Sequence, residues 1–172
     1  MQLTDKDLIL ITGATGLVGS HVAEQARQKG IRTRALVRSD SATDFLKQLG
    51  VELVDGNLDD AESLKNACHG VSVVVHCAAK VGDWGPTQEY RRINVEGTRS
   101  LLDAALQLGS LQRWVQISSL GVYAGGDHYG TDETTKPSTQ GIDGYTLTKV
   151  ESEQLVCEYV AQKHLPAVIL RP

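Results

Sequence analysis

The chain has little cysteine, little proline and no excess of positive charge, and each shortage argues against a class of function. Three cysteines in 172 residues, Cys68, Cys77 and Cys157, are too few and too widely spaced for a disulfide framework. No CxxC pair occurs, and His76-Cys77 lacks further ligands at metal spacing, so no metal site is expected. The thiols read as reduced and partly buried, as in a cytosolic protein. With 17 Lys and Arg against 21 Asp and Glu, the net charge of −4 offers no basic face for nucleic acid. No apolar run approaches the roughly 20 residues of a membrane span. Asp5 and Asp7 near the N-terminus are wrong for a signal peptide, and the expected location is the cytoplasm. Only four prolines accompany 17 glycines, which suggests tight turns rather than a disordered linker.

What is present is an alternation. Leu8–Ile11 is a short apolar run, read as a strand buried on both faces. A helix follows from Leu17 to Lys29, closed by Gly30. Further strands are expected at Thr33–Val37, Val51–Val54, Val71–His76, Trp114–Ile117 and Ala167–Leu170. Helices are expected near Ala42–Leu49, Asp60–Cys68, Tyr90–Leu108 (closed by Gly109) and Tyr145–Lys163. This pattern predicts an α/β fold, a doubly wound parallel sheet of Rossmann type with strand order 3-2-1-4-5-6. A loop of about 25 residues before Asp143 is long for a compact domain, and such loops are often functional. Residues 1–172 read as one domain. Arg171-Pro172 directly follows a strand, where an α/β sheet places its binding crevice, so the sequence reads as the N-terminal part of a longer protein.

Thr12-Gly13-Ala14-Thr15-Gly16-Leu17-Val18-Gly19 joins the first strand to the first helix, with GxxGxxG spacing. Gly13 suits a tight turn, Gly16 a close approach of backbone to a diphosphate, and Gly19 a helix lying close on the sheet. The helix N-terminus then turns its free N–H groups toward the anion. At the end of the second strand stands Arg38, where NAD sites usually hold an acid. A guanidinium suits a 2′-phosphate, which favours NADP over NAD, although Asp40 serves NAD if the turn is shifted. Asn57 and Leu58 follow the third strand, near where an adenine would rest; the plainer reading is an Asn-containing turn.

Tyr145 and Lys149 stand at i and i+4 and so share a helix face. Ser118 and Ser119 end the fifth strand on the same crevice side. A phenol has an ordinary pKa near 10, and a nearby cation favours its ionised form. The pair therefore suits proton exchange with a substrate hydroxyl, while a serine hydroxyl holds the substrate oxygen for hydride transfer. YxxxK alone is common by chance, and its weight comes from lying 26 residues after a strand-end serine in a dinucleotide-type fold.

The segments TGATGLVGSHV (12–22), DGNLDD (55–60), VVHCAAKVGDWG (74–85), INVEGTRSLLDAA (93–105), ISSLGVY (117–123), YTLTK (145–149) and ILRP (169–172) fall in one order. Together they resemble the extended short-chain dehydrogenase/reductases, the NAD(P)-dependent epimerase/dehydratase type. The resemblance implies catalytic Ser119, Tyr145 and Lys149. It implies that Gly13, Thr15, Gly16, Leu17 and Val18 touch the diphosphate and that Arg38 serves NADP. Asn57 and Leu58 match the adenine contacts, although the family more often has Asp at the first. Ala78, Ala79 and Lys80 match the loop beside the ribose, and Asn94 an asparagine that steadies the site. Ser118, Tyr145 and Lys149 also count among the expected cofactor contacts. The family's VYG reads Val122-Tyr123-Ala124 here.

Within that family the chain is similar to 3β-hydroxysteroid dehydrogenases and dihydroflavonol-type reductases, which implies hydride transfer to or from a secondary alcohol or ketone, a small-molecule substrate. The alternatives are a nucleotide-sugar epimerase or dehydratase with tightly bound NAD, and an NADP(H)-sensing module without turnover. Members continue past the RP motif into a smaller C-terminal substrate domain, which the resemblance implies lies beyond this sequence, and they often form homodimers, for which the long helix around Ala104 and Ala105 is the candidate face. Of the remaining residues, His76 reads as hydrogen-bonded structure rather than a base, and His21 as solvated. Trp84 reads equally as a wall of the substrate pocket or as simple packing.

Overall fold

A computed structural model describes residues 3–82, 84–138 and 140–172. Six strands alternate with helices: β1 (Leu8–Thr12), α1 (Leu17–Gln28), β2 (Arg32–Val37), α2 (Asp44–Gln48), β3 (Glu52–Asp55), α3 (Ala61–Cys68) and β4 (Val73–His76) form the first part. α4 (Thr87–Arg91), a π-helical turn (Arg92–Glu96), α5 (Gly97–Gln107), β5 (Arg113–Ile117), a 3-10 turn (Leu120–Val122), α6 (Gly144–Lys163) and β6 (Ala167–Leu170) complete it. All strand pairs are parallel and the order is β3-β2-β1-β4-β5-β6, as expected.

Strand alternation divides the core in two. In β1, Leu8 and Leu10 join the layer formed with α3, α5 and α6, whereas Ile9 and Ile11 join the layer under α1 and α2. β2 and β4 repeat the division, with Leu36 and Val74 on the first side and Ala35, Val37, Val73 and Val75 on the second. Burial on both faces explains the apolar runs Leu8–Ile11, Ala35–Val37 and Val73–Val75. Ala104 and Ala105 are buried in the chain's own core. No helix among the described residues is long and apolar enough to cross a membrane.

Several boundaries differ from expectation. The long helix begins at Thr87 rather than Tyr90, and a π turn interrupts it. Its first segment opens with the Glu89 N–H bonded to Pro86 O at 2.9 Å, so Pro86 starts a helix where a loop was expected. Gly30 and Gly109 do follow their helices in the left-handed region, at φ 73° and 64°. α6 ends on His164 at φ 54°, a left-handed conformation without glycine. Its start is a capping box, with the Asp143 carboxylate accepting from Thr146 N–H at 2.7 Å and Thr146 Oγ1 accepting from Asp143 N–H at 3.0 Å. The cap fixes the start of α6 at Gly144, one residue before Tyr145.

Candidate active site

The strand order reverses between β1 and β4, and the carboxyl ends of these strands open the crevice in which such folds bind ligands. On one side lies the glycine turn. Gly13 is left-handed at φ 66°, and a Cβ there would stand 2.7 Å from Ala78 N. Glycine thus lets the turn touch the loop after β4 backbone to backbone. Gly19 behaves differently from expectation. A Cβ there would stand 2.3 Å from Gly13 O, so Gly19 admits the turn rather than the sheet. Thr15, Gly16, Leu17 and Val18 are all exposed. The first turn of α1 has no side-chain cap and no acid, which leaves its N–H groups free for an anion.

Arg38 stands just past β2 and is largely exposed, with its Nε 3.4 Å from Asp40 Oδ1. Both candidates for recognising the ribose 2′ position therefore meet at one corner. Asn57 is exposed, and its Oδ1 accepts from Asp59 N–H at 2.8 Å in a tight turn. Leu58 packs against Gly97 at the start of α5, where a Cβ would come within 2.8 Å of the Leu58 side chain.

The loop after β4 is held by Asn94, which sits on the π turn and is buried. Its Oδ1 accepts from Lys80 N–H at 2.7 Å and its Nδ2 donates to Lys80 O at 3.0 Å. The same Nδ2 donates to Thr148 Oγ1 at 3.0 Å, tying the loop to α6 between Tyr145 and Lys149. Ala78, Ala79 and Lys80 are half-buried. The Lys80 ammonium lies 3.0 Å from Glu89 and 5.2 Å from the centre of the Tyr90 ring.

At the end of β5, Ser119 Oγ accepts from Gly121 N–H at 3.1 Å, leaving its own proton to give. Ser118 Oγ is buried without a hydrogen-bond partner, an orphan that calls for a ligand or water. Tyr145 is half-buried at the first turn of α6. One turn on, Lys149 is buried and its Nζ donates to Ile117 O at 2.5 Å. Burial lowers its pKa to about 8, opposed by the negative charge of Glu153. At pH 7 the ammonium is still the majority form, about ten to one. Cys77 beside it is no nucleophile, because burial raises its thiol pKa to about 11. Cys157 is exposed rather than partly buried.

Three features here were missed in the sequence. Thr148, inside YTLTK, is the link between Asn94 and α6. Arg171 and Glu153 form a bidentate pair at 2.9 and 2.7 Å, with the Glu153 side chain only 5% exposed. Arg171 also donates to Tyr123 Oη at 2.7 Å, joining β6 and α6 to the start of the long loop. Trp84 is 92% exposed, so it is not packing within the described residues.

A turn made of glycine, an uncapped helix start, an orphaned serine hydroxyl and an Asn-clamped loop around one crevice fit a dinucleotide in extended form. Fold and crevice together define the doubly wound nucleotide-binding class. The chain belongs to the NAD dependent epimerase/dehydratase family, whose description matches residues 9–172. It is 34% identical over 149 residues to the 4-hydroxy-2-methyl-3-oxo-4-farnesyl-3,4-dihydroquinoline-1-oxide ketoreductase of Stigmatella aurantiaca, covering 86% of this chain and 44% of that protein. It is 32% identical over 177 residues to the 3-beta-hydroxysteroid dehydrogenase of Mycolicibacterium neoaurum, covering 98% of this chain and 48% of the other. The structure resembles the Thermus thermophilus UDP-glucose 4-epimerase in complex with NAD, with TM-score 0.84 at 25% identity, covering 95% of this chain and 54% of that one. The chain spans about half the length of these proteins.

Proposed function

We propose that this chain is the cofactor-binding and catalytic half of an NADP(H)-dependent dehydrogenase or reductase acting on a secondary alcohol or ketone with an apolar body. The observation that carries this reading is the grouping at the ends of β5 and α6. Ser119 has a free proton, Tyr145 is half-buried, and Lys149 is fixed to Ile117 O. Nicotinamide, when bound, supplies or accepts the hydride. Ser119 donates to the carbonyl oxygen and fixes its position. Tyr145 gives the proton to that oxygen during reduction and takes it back during oxidation. Lys149 favours the ionised phenol by its charge.

The N-terminus of α1, with Thr15 to Val18, would hold the diphosphate, and Asn57 and Leu58 would flank the adenine. Ala78 to Lys80, steadied by Asn94, and Ser118 would face the ribose and nicotinamide. Arg38, held only by a weak exposed pair with Asp40, would be available to a 2′-phosphate, which supports NADP over NAD. Support for an apolar substrate comes from Val81, Trp84, Leu120, Tyr129 and Ile142, all exposed on the loops that follow β4 and β5. A sugar substrate would more naturally meet polar groups there.

Fluorescence titration with NADPH and NADH, followed by a panel of ketones, tests the proposal. Net NADPH oxidation is expected, and Tyr145→Phe binds cofactor normally while turnover falls by at least about a hundredfold. Tightly retained NAD⁺ without net turnover would favour an epimerase instead. Undiminished turnover in the Tyr145 variant would remove the acid/base.

A further inference from the structure

His76 is fully buried at the end of β4, opposite Thr12 in the parallel register. Its Nδ1 lies 2.7 Å from Thr12 Oγ1 and its Nε2 lies 3.0 Å from Thr98 Oγ1. One neighbour fixes the ring proton, and a second agrees with it. Asn94 O, a carbonyl that only accepts, lies 2.7 Å from Thr98 Oγ1, so the Thr98 hydroxyl proton is spent there. Thr98 Oγ1 must then accept from His76, which places the imidazole proton on Nε2. From the other end, Ala78 N–H only donates, and it lies 3.3 Å from Thr12 Oγ1. The Thr12 hydroxyl accepts there and keeps its own proton to give to Nδ1. The Thr98 end sets the Nε2–H tautomer, and the Thr12 end is compatible with it. The surroundings agree, since burial and then the Lys149 charge lower the His76 pKa to about 3.

We propose that His76 is a positioning residue, whose fixed Nε2–H tautomer ties the glycine turn and the loop after β4 to the π turn that carries Asn94. One arm runs through Thr12 to Ala78 N–H and keeps that loop seated against Gly13. The other runs through Thr98 to the Asn94 carbonyl, and so to the clamp on Lys80 and Thr148. One buried ring thus sets the spacing between the diphosphate side of the crevice and the helix of Tyr145 and Lys149. The proton assignment stands on the chain alone. Its consequence for the cofactor rests on the functional reading above.

Long-range proton–nitrogen NMR of the labelled, unaltered chain tests the assignment. The His76 ring is expected to show the Nε2–H tautomer, with shifts that do not change between about pH 5 and pH 9. An Nδ1–H ring, or titration near the ordinary histidine value, would overturn it. Two variants then separate the arms. His76→Asn keeps an acceptor near Nδ1 and lacks a donor near Nε2; His76→Gln offers the reverse. In hydrogen exchange, the Asn variant is expected to keep Ala78 N–H protected while Lys80 N–H exchanges about tenfold faster, and the Gln variant to show the opposite. Equal loss at both amides in both variants, or loss at neither, would reduce His76 to ordinary packing. NADPH affinity is expected to fall several-fold in both variants, since each loosens one side of the loop Ala78–Lys80. If the unaltered chain fails to bind NADPH at all, the cofactor reading fails while the tautomer and exchange results still decide the network. Should both variants fail to fold, the tautomer of the unaltered chain remains decisive.

Discussion

Lys149 gives the most demanding prediction, because the residue assigned to catalysis is a cost to the fold. Its pKa falls from an ordinary 10.5 to about 8 because burial penalises the charge. The sign follows directly. Between about pH 8 and 10.5 the unfolded chain holds the proton that the folded chain has released, so stability rises with pH across that window. Below about pH 8 the fold bears the whole penalty, about 3 kcal/mol. Lys149→Met removes the charge but also the hydrogen bond to Ile117 O, which offsets about 1–2 kcal/mol of the gain. The variant should therefore be more stable at pH 7 by about 1–2 kcal/mol, or roughly 3–6 °C in Tm for a domain of this size. Urea unfolding at pH 7 and at pH 10 measures the difference. The unaltered chain should regain about 2 kcal/mol on the variant by pH 10, while the variant loses catalysis at both. A variant less stable at pH 7, with a gap that does not change with pH, would refute the reasoning.

Three further outcomes are expected. Arg38→Ala should weaken NADPH binding by about 10- to 100-fold, the worth of a charge-assisted contact to phosphate, and leave NADH almost unchanged; equal losses would remove Arg38 from cofactor choice. Gly13→Ala adds a Cβ 2.7 Å from the Ala78 nitrogen at a left-handed residue, so it should lower stability by about 2 kcal/mol or more and abolish cofactor quenching, as thermal unfolding and fluorescence would report. Glu153→Gln leaves the Arg171 guanidinium without its buried counter-charge and should cost about 3–5 kcal/mol in denaturant unfolding; a cost near zero would mark the pair as solvent-screened.

The strands and their order were legible because doubly buried strands are written as apolar runs, as in Leu8–Ile11, and because Gly30 and Gly109 punctuate the helices. Tyr145 and Lys149 lie one turn apart on α6, as their spacing predicts, whereas strand position left Ser118 and Ser119 open and only the resemblance singled out Ser119. The depth of Lys149 was not legible, since an i, i+4 pair says nothing of the carbonyl that receives the ammonium. Glu153 and Arg171 lie 18 positions apart and look like surface charges until β6 and α6 bring them together. The π turn had no local signature. It is sustained by Asn94 reaching Lys80 and Thr148, contacts that exist only in the assembled fold. Gly19 was assigned the right steric role against the wrong neighbour, because sequence spacing cannot say whether turn or sheet lies behind the helix.

The π turn also makes Arg92–Glu96 sensitive to length rather than to composition. Wider winding amounts to one residue inserted into an α-helix, and each α-helical residue advances the azimuth by about 100°. Deleting a single residue there would restore ordinary winding with α4 and α5 still in register, and the loss would fall on the wide turn itself. Asn94 would leave the position from which it reaches Lys80 and Thr148. A reading-frame-preserving loss of one codon in this helix would thus cost more than most exchanges of its side chains.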